Sequence, residues 1–492
     1  MKKIVSSILL AASLLMTAGC GEDYLERVPT NSVTDEDLFS TVAGAQTALN
    51  GIHRSTYAFY DDHGRFGQKS IDIIIDFMGD DYLQLDRGYG WFVGWYQYLN
   101  NRNANSTDLE FTWSYYYDII DNANLLLRDI DKASDAAVKE SLVKNIKGQA
   151  LAYRAHSYWA LVQMFADRYK YEGNNTQLGV PLVIEHTSDG LPRSTVQEVY
   201  KQIYADIDQA ITLLTESKSP RVNKSHINLN VAQGLKARIA LTTGDWATAA
   251  DMAHKARQGF ALTSDYMNGW NDANDSEWIW GALLIDEQQT SYASFFSQID
   301  PLFGGYATLG SHKLGSTQII DYMQDSDQRK KLFQPEKYFD EADFDDYFSN
   351  KERVGYKFTG FGEWTNDYIY MKSGEMYLIE AEALARQKKD TEAQAVISEL
   401  TMNRDPEAKA TTLTGDALIE HILMERRCDL WGDGFRLFDI KRLNIDMDRR
   451  DKGHNETFWD KAGYFPAGDK NLLFLIPKQE IDANPNIVQN PL

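Results

Sequence analysis

Tyr370-Met371-Lys372-Ser373-Gly374-Glu375-Met376-Tyr377-Leu378-Ile379-Glu380-Ala381-Glu382-Ala383-Leu384-Ala385 sets Tyr370, Gly374, Tyr377, Ala381, Leu384 and Ala385 at helical spacing. Ala393, Val396, Ile397 and Leu400 repeat the stripe at once, so the two runs predict a helical hairpin. Thr391 and Gln394, three apart where the second run begins, have the residue types of a reciprocal hydroxyl-and-amide cap. A third helix is expected from Ala417 to Trp431, with Ile419, Ile422, Leu423 and Leu430 on one face and Gly432 as its stop. It carries Glu425-Arg426-Arg427 and leads into Gly434-Phe435-Arg436-Leu437-Phe438-Asp439.

The same periodicity extends towards the N-terminus. Phe111, Tyr115, Ile119, Ala123, Leu126 and Ile130 form one stripe, and Leu142, Ile146, Ala150, Tyr153, Ala160, Leu161 and Met164 form its partner. Thr195 and Glu198 read as a capping box before Ile203, Ile207, Ala210 and Leu214. Ala232, Leu235 and Ile239, the turn Gly244-Asp245-Trp246, then Ala249, Ala250 and Ala253 resemble a tetratricopeptide-type unit. One helix pair cannot bury its own apolar stripe, so the chain is read as mainly α, a tetratricopeptide-like solenoid with pairs within 108–165, 195–258, 368–403 and 415–443. Periodicity fails over 57–105 and 264–365, which are read as long irregular insertions. The prolines of the tail, Pro477, Pro485 and Pro491, predict an extended strap rather than helix.

With 43% hydrophobic residues among 492, the chain has ample material for a large core. Its net charge of −22 opposes binding to nucleic-acid phosphates, and no run of Lys or Arg offsets that field. Lys2 and Lys3 precede an apolar run from Ile4 to Met16, too short to span a membrane, so residues 1–19 read as a signal peptide. Cleavage before Cys20 would leave a lipidated cysteine as in bacterial lipoproteins, the alternative being plain secretory cleavage with Cys20 incidental. The acidic Gly21-Glu22-Asp23 resembles the signal that sends some lipoproteins to the outer face of the outer membrane. Residues 20–40 are read as a tether and 41–492 as a single domain.

The insertions are where the composition is unusual. The first holds Gly88-Tyr89-Gly90-Trp91-Phe92-Val93-Gly94-Trp95-Tyr96, and the second holds Trp270, Trp278, Trp280, Phe295-Phe296 and Phe303-Gly304-Gly305-Tyr306. The acidic run Asp340, Glu341, Asp343, Asp345 and Asp346 lacks the glycine turn and spacing of an EF-hand, so it is read as a solvated loop. No metal or cofactor is expected, although a calcium ion supporting the loops stays open. The chain has no His-Glu-x-x-His, no Gly-x-Ser-x-Gly and no Walker loop. A helical glycoside hydrolase would need two carboxylates across a cleft, and none is singled out. A tetratricopeptide adaptor would bind through its concave helical face, whereas here the odd composition lies in the insertions.

The order of these features resembles the SusD/RagB family of nutrient-binding outer-membrane lipoproteins. The resemblance rests on Cys20 with Tyr24-Leu25-Glu26 and Pro29, Phe39 and Thr41 before Ala45 to Ile52, and Glu375-x-Tyr377-Leu378-Ile379-x-Ala381-Glu382-Ala383. It continues through Glu425-Arg426-Arg427 with Gly434-x-Arg436 and the ending Ile476-Pro477, Glu480, Asn484-Pro485 and Gln489-Asn490-Pro491. It implies about four helix pairs framing irregular loops, no catalysis, and capture of an oligosaccharide that is handed to a SusC-like TonB-dependent β-barrel transporter. Peptide binding is the alternative within the same family. Aromatic rings suit the apolar faces of sugars, so Trp91, Trp95, Tyr89 and Tyr306 are the candidate ligand contacts. Asp81, next to Asp80 beside the first loop, is a candidate acceptor of sugar hydroxyls or a helix cap. Glu425, Arg426, Arg427, Arg436 and Asp439 are expected to form a structural network of paired charges.

Overall fold

The computed structural model describes residues 34–84, 88–302, 304–333, 353–361, 364–456 and 462–492. Cys20 and the acidic run around Asp340 lie outside these residues. The frame is helical: α1 (Val42–Ser55), α2 (Gln68–Phe77), α3 (Thr107–Asp129), α4 (Glu140–Phe165), α5 (Val196–Glu216), α6 (Leu229–Thr243), α7 (Trp246–Ala256), α8 (Ser373–Arg386), α9 (Asp390–Arg404), α10 (Gly415–Asp429) and α11 (Arg436–Leu443). Side-chain oxygens start several of them. Thr41, Ser106, Asn228 and Asp245 each accept a backbone N–H in the first turn, and Thr195 with Glu198 makes the reciprocal box expected from the sequence.

The helices stack in series. α4 lies between α3 and α5, α6 joins α5 to α7, α7 packs on α8, and α8 packs on both α9 and α10. Every residue of α4 from Gly148 to Phe165 is buried, which makes it the centre of the stack. Buried ion pairs fasten successive pairs: Arg154 to Asp206 at 2.6 Å, Arg238 to Glu375 at 2.7 Å and Arg442 to Glu382 at 2.8 Å. Such pairs fix register more than they add stability, because both charges leave water.

Four local readings are corrected. α2 occupies part of the stretch read as irregular; its Ile71, Ile74 and Ile75 keep helical spacing, but the helix is short and its polar Lys69, Asp72 and Asp76 are buried too. Tyr370 belongs to a strand, β4 (Tyr368–Lys372), which pairs antiparallel with β2 (Trp278–Ala282). α9 starts at Asp390 without a side-chain cap, and Gln394 donates instead to the Leu413 carbonyl. The tail holds a short helix, Lys478–Ala483, just after Pro477, where a missing N–H costs nothing.

Because α7 and α8 touch directly, the second insertion leaves and returns at one place, closed at its base by the β2–β4 ribbon. It meets the first insertion through β1 (Tyr82–Leu83) and β3 (Leu314–Gly315). The tail straps the other end. Phe474 N–H donates to Met164 and Leu475 N–H to Asn101, while Asn490 donates to Phe165.

Candidate functional site

The loop Tyr60–Arg65 closes through a Tyr60 N–H to Arg65 carbonyl bond, and the Asp62 carboxylate accepts the Gly64 N–H at 2.8 Å. This presents His63. Gly88 and Gly90 take positive φ, as does Phe92 at 63°, so the chain reverses sharply around Tyr89 and Trp91. In the second insertion, Gly305 lies against Ser297 so closely that an added Cβ would sit 2.6 Å from the Ser297 Cα. That approach lets the Tyr306 N–H reach the Ser297 hydroxyl at 3.2 Å and fixes where the Tyr306 ring stands.

Tyr306 is the hub of an aromatic surface. Its ring centroid is 5.0 Å from Tyr89, 5.5 Å from Trp91, 5.4 Å from Tyr292 and 5.7 Å from His63. His63 stacks on Trp91 at 5.8 Å and bonds the Tyr306 hydroxyl through Nδ1 at 2.6 Å. Trp364 extends the surface beyond Tyr292, and Phe59 extends it beyond His63. The rings stay open to solvent: Tyr89 is 62% exposed, Phe59 47% and Tyr292 40%.

Partial burial raises the Tyr306 phenol above its usual range. The Trp91 N–H tempers that shift without reaching hydrogen-bond geometry, and it is left without a protein partner, as is the buried Gln298 Oε1. Gln298 donates through its other terminus to the His63 carbonyl at 3.2 Å. The surface thus offers ring faces for C–H groups, while the Trp91 N–H is turned inward.

Trp91, Tyr89 and Tyr306 are therefore brought together, and two other expected contacts are not. Trp95 is 1% exposed and packs on Phe474 of the tail at 5.2 Å, so no ligand reaches it. Asp81 is 3% exposed and bound to Arg427 at 2.5 Å and Arg436 at 3.1 Å, so its oxygens are spent inside. Asp81 is an anchor. Phe59, His63, Tyr292 and Trp364 carry no motif of their own in the sequence, and only the fold collects them.

The charges of the Glu425–Asp439 block show how the insertions are held. Arg427 and Arg436 grip Asp81 and Asp80 of the first insertion, and Glu425 grips Arg329 of the second at 2.7 Å. Arg426 and Arg442 both bind Asp439 at 2.7 Å. Although burial opposes ionisation, these two guanidiniums hold Asp439 at about 2. Among the described residues, no cluster of His, Cys, Asp and Glu is arranged to hold a metal, and no helix is long and apolar enough to cross a membrane.

Residues 85–241 match the SusD-like family described as starch-binding and associating with the outer membrane, and residues 249–492 match the SusD family. The chain belongs to the SusD/RagB family. SusD-like protein P2 of Formosa agariphila is 25% identical over 97% of both chains. A SusD-like carbohydrate binding protein of Bacteroides vulgatus superposes with a TM-score of 0.78 at 26% identity, over 91% of this chain and 97% of the other. A SusD superfamily protein of Bacteroides thetaiotaomicron shares the fold, with a TM-score of 0.77 at 24% identity over 92% of this chain and all of the other. SusD family membership accounts for the solenoid with grafted insertions, and the proteins of this family are binding proteins.

Proposed function

We propose that this SusD/RagB protein is a lipid-anchored glycan receptor on the cell exterior, which binds oligosaccharide on the Tyr306-centred surface and passes it to a SusC-like TonB-dependent transporter. The observation that carries this reading is the partly open cluster of Tyr89, Trp91, Tyr292 and Tyr306 around one hub, built from loops and seated on a rigid helical frame. Flat rings supply contact area at little entropic cost. The family's description as starch-binding and the carbohydrate-binding relative from Bacteroides vulgatus support a glycan as ligand. The Cys20 anchor and the transporter are carried over from the family resemblance and from the lipoprotein-like leader.

Calorimetric titration of the mature protein with a panel of oligosaccharides tests the reading. Saturable binding without change to the sugar is expected. Saturation by peptides alone, or hydrolysis of a bound sugar, would replace it.

A further inference from the structure

A second cavity, of about 460 Å³, lies away from the aromatic surface, between the end of α4, the loop around Gln177 and Leu178, the end of α11 and the C-terminal strap. Its size falls within the range of small-molecule sites, roughly 300–1,000 Å³. Leu178, Leu472, Leu473 and Pro491 supply apolar wall.

The charge on the wall is unusual for a chain at −22. Lys441 is buried, and its ammonium donates to two backbone carbonyls, Gln163 and Ala166, so one of its three protons is uncommitted. The Arg193 guanidinium is also buried and is satisfied by four backbone carbonyls and the Asn490 amide oxygen, without a carboxylate. Arg168, at the rim, bonds the Asn444 amide oxygen and the Tyr169 carbonyl. Two acids also line the cavity. Asp167 faces Lys170 at 3.3 Å, and Asp469 accepts the Asn471 N–H at 2.7 Å. Burial lowers Lys441 to about 8, and the Asp167 carboxylate on the same wall offsets that shift in part.

The polar side chains decide between a sugar and a simpler ligand. Gln489 is spent on Ile476, Asn490 on Arg193, Phe165 and Phe474, and Gln177 donates to the Arg168 carbonyl. Little is left for a ring of hydroxyls, while apolar wall and an excess of positive charge remain, with Arg168, Arg193, Lys441 and Lys470 against Asp167 and Asp469. From this pairing we propose that the cavity is a second binding site, for a small organic carboxylate with a hydrocarbon or aromatic body.

Benzoate is the probe, with neutral benzamide and the hydroxyl-rich glucuronate beside it, titrated into the full mature protein and followed by calorimetry and ligand-observed NMR. Saturable benzoate binding is expected, roughly tenfold or more tighter than that of either comparator. It should fall at least about tenfold in Lys441→Met, which removes the charge, and in Leu178→Trp, which fills the rim from an exposed position. Trp91→Ala should leave it unchanged, which separates this site from the aromatic surface. Should Lys441→Met fail to fold, Leu178→Trp decides alone. Absence of saturable benzoate binding, equal binding of benzamide or glucuronate, or binding that survives Leu178→Trp would overturn the proposal.

Discussion

Trp91 and Trp95 stand four residues apart in one glycine-rich loop, and the fold sends them to different places. Trp91 joins Tyr306 at the surface, whereas Trp95 turns inward onto Phe474. The two substitutions should therefore separate binding from stability. Trp91→Ala is expected to weaken oligosaccharide binding by about one to a few kcal/mol, the scale of a central aromatic contact. Trp95→Ala should leave the affinity of the folded protein unchanged and cost about 3–5 kcal/mol in denaturant unfolding, as for other large-to-small changes in a core. The reverse pattern in calorimetry and unfolding curves would show that the surface has been misplaced. Composition alone could not distinguish them, because both tryptophans share the same local sequence chemistry and only tertiary packing, including Phe474 of the tail, buries one.

At the scale of elements, the insertions depend on a few buried ion pairs with α10 and α11. Asp81→Ala leaves Arg427 and Arg436 with less negative charge to face in a buried setting, at a cost of about 3–5 kcal/mol. Hydrogen exchange should then rise across β1 and β3 while α4 stays protected; uniform protection in both would contradict the anchoring role. Asp439 supplies a pH test of the same network. Its carboxyl is held at about 2 in the fold against about 3.9 unfolded, so its contribution is complete above about pH 4 and is lost as pH falls towards 2. Unfolding curves of Asp439→Asn should lack that part of the acid dependence. The motif residues were legible as a charged network, but not as the clamp on both insertions, since Asp80, Asp81 and Arg329 lie far away in the sequence. α2 went unread for another reason: its stripe of Ile71, Ile74 and Ile75 spans little more than one turn within a stretch rich in Gly and aromatic residues. The longer solenoid helices showed their stripes even where, as in most of α4, tertiary packing buries every face.

Taken whole, the molecule is a stack of helices whose centre excludes water, and three histidines report on that. His53, His156 and His454 are each lowered to about 3, burial being the main cause. Rings that stay neutral in the fold and charge near 6.5 when unfolded support stability fully above about pH 6.5 and withdraw it as pH falls towards 3. Burial raises Asp76 to about 7, which acts in the opposite sense, so the test belongs on the rings themselves. Their NMR shifts should remain those of neutral imidazole at pH 5, and protonation near pH 6 would show an open core. In cells, Cys20→Ala is expected to release the mature protein from membranes, since acyl chains provide the proposed anchor. Retention of that variant on membranes would place the anchor elsewhere. The central claim is that a rigid helical frame holds Tyr306 and its neighbouring rings as a glycan receptor. It is tested most directly by titrating one bound oligosaccharide into wild-type protein, Trp91→Ala and Tyr306→Ala by calorimetry. The account predicts clear loss of affinity in both variants with the fold intact, and unaltered isotherms in both would contradict it.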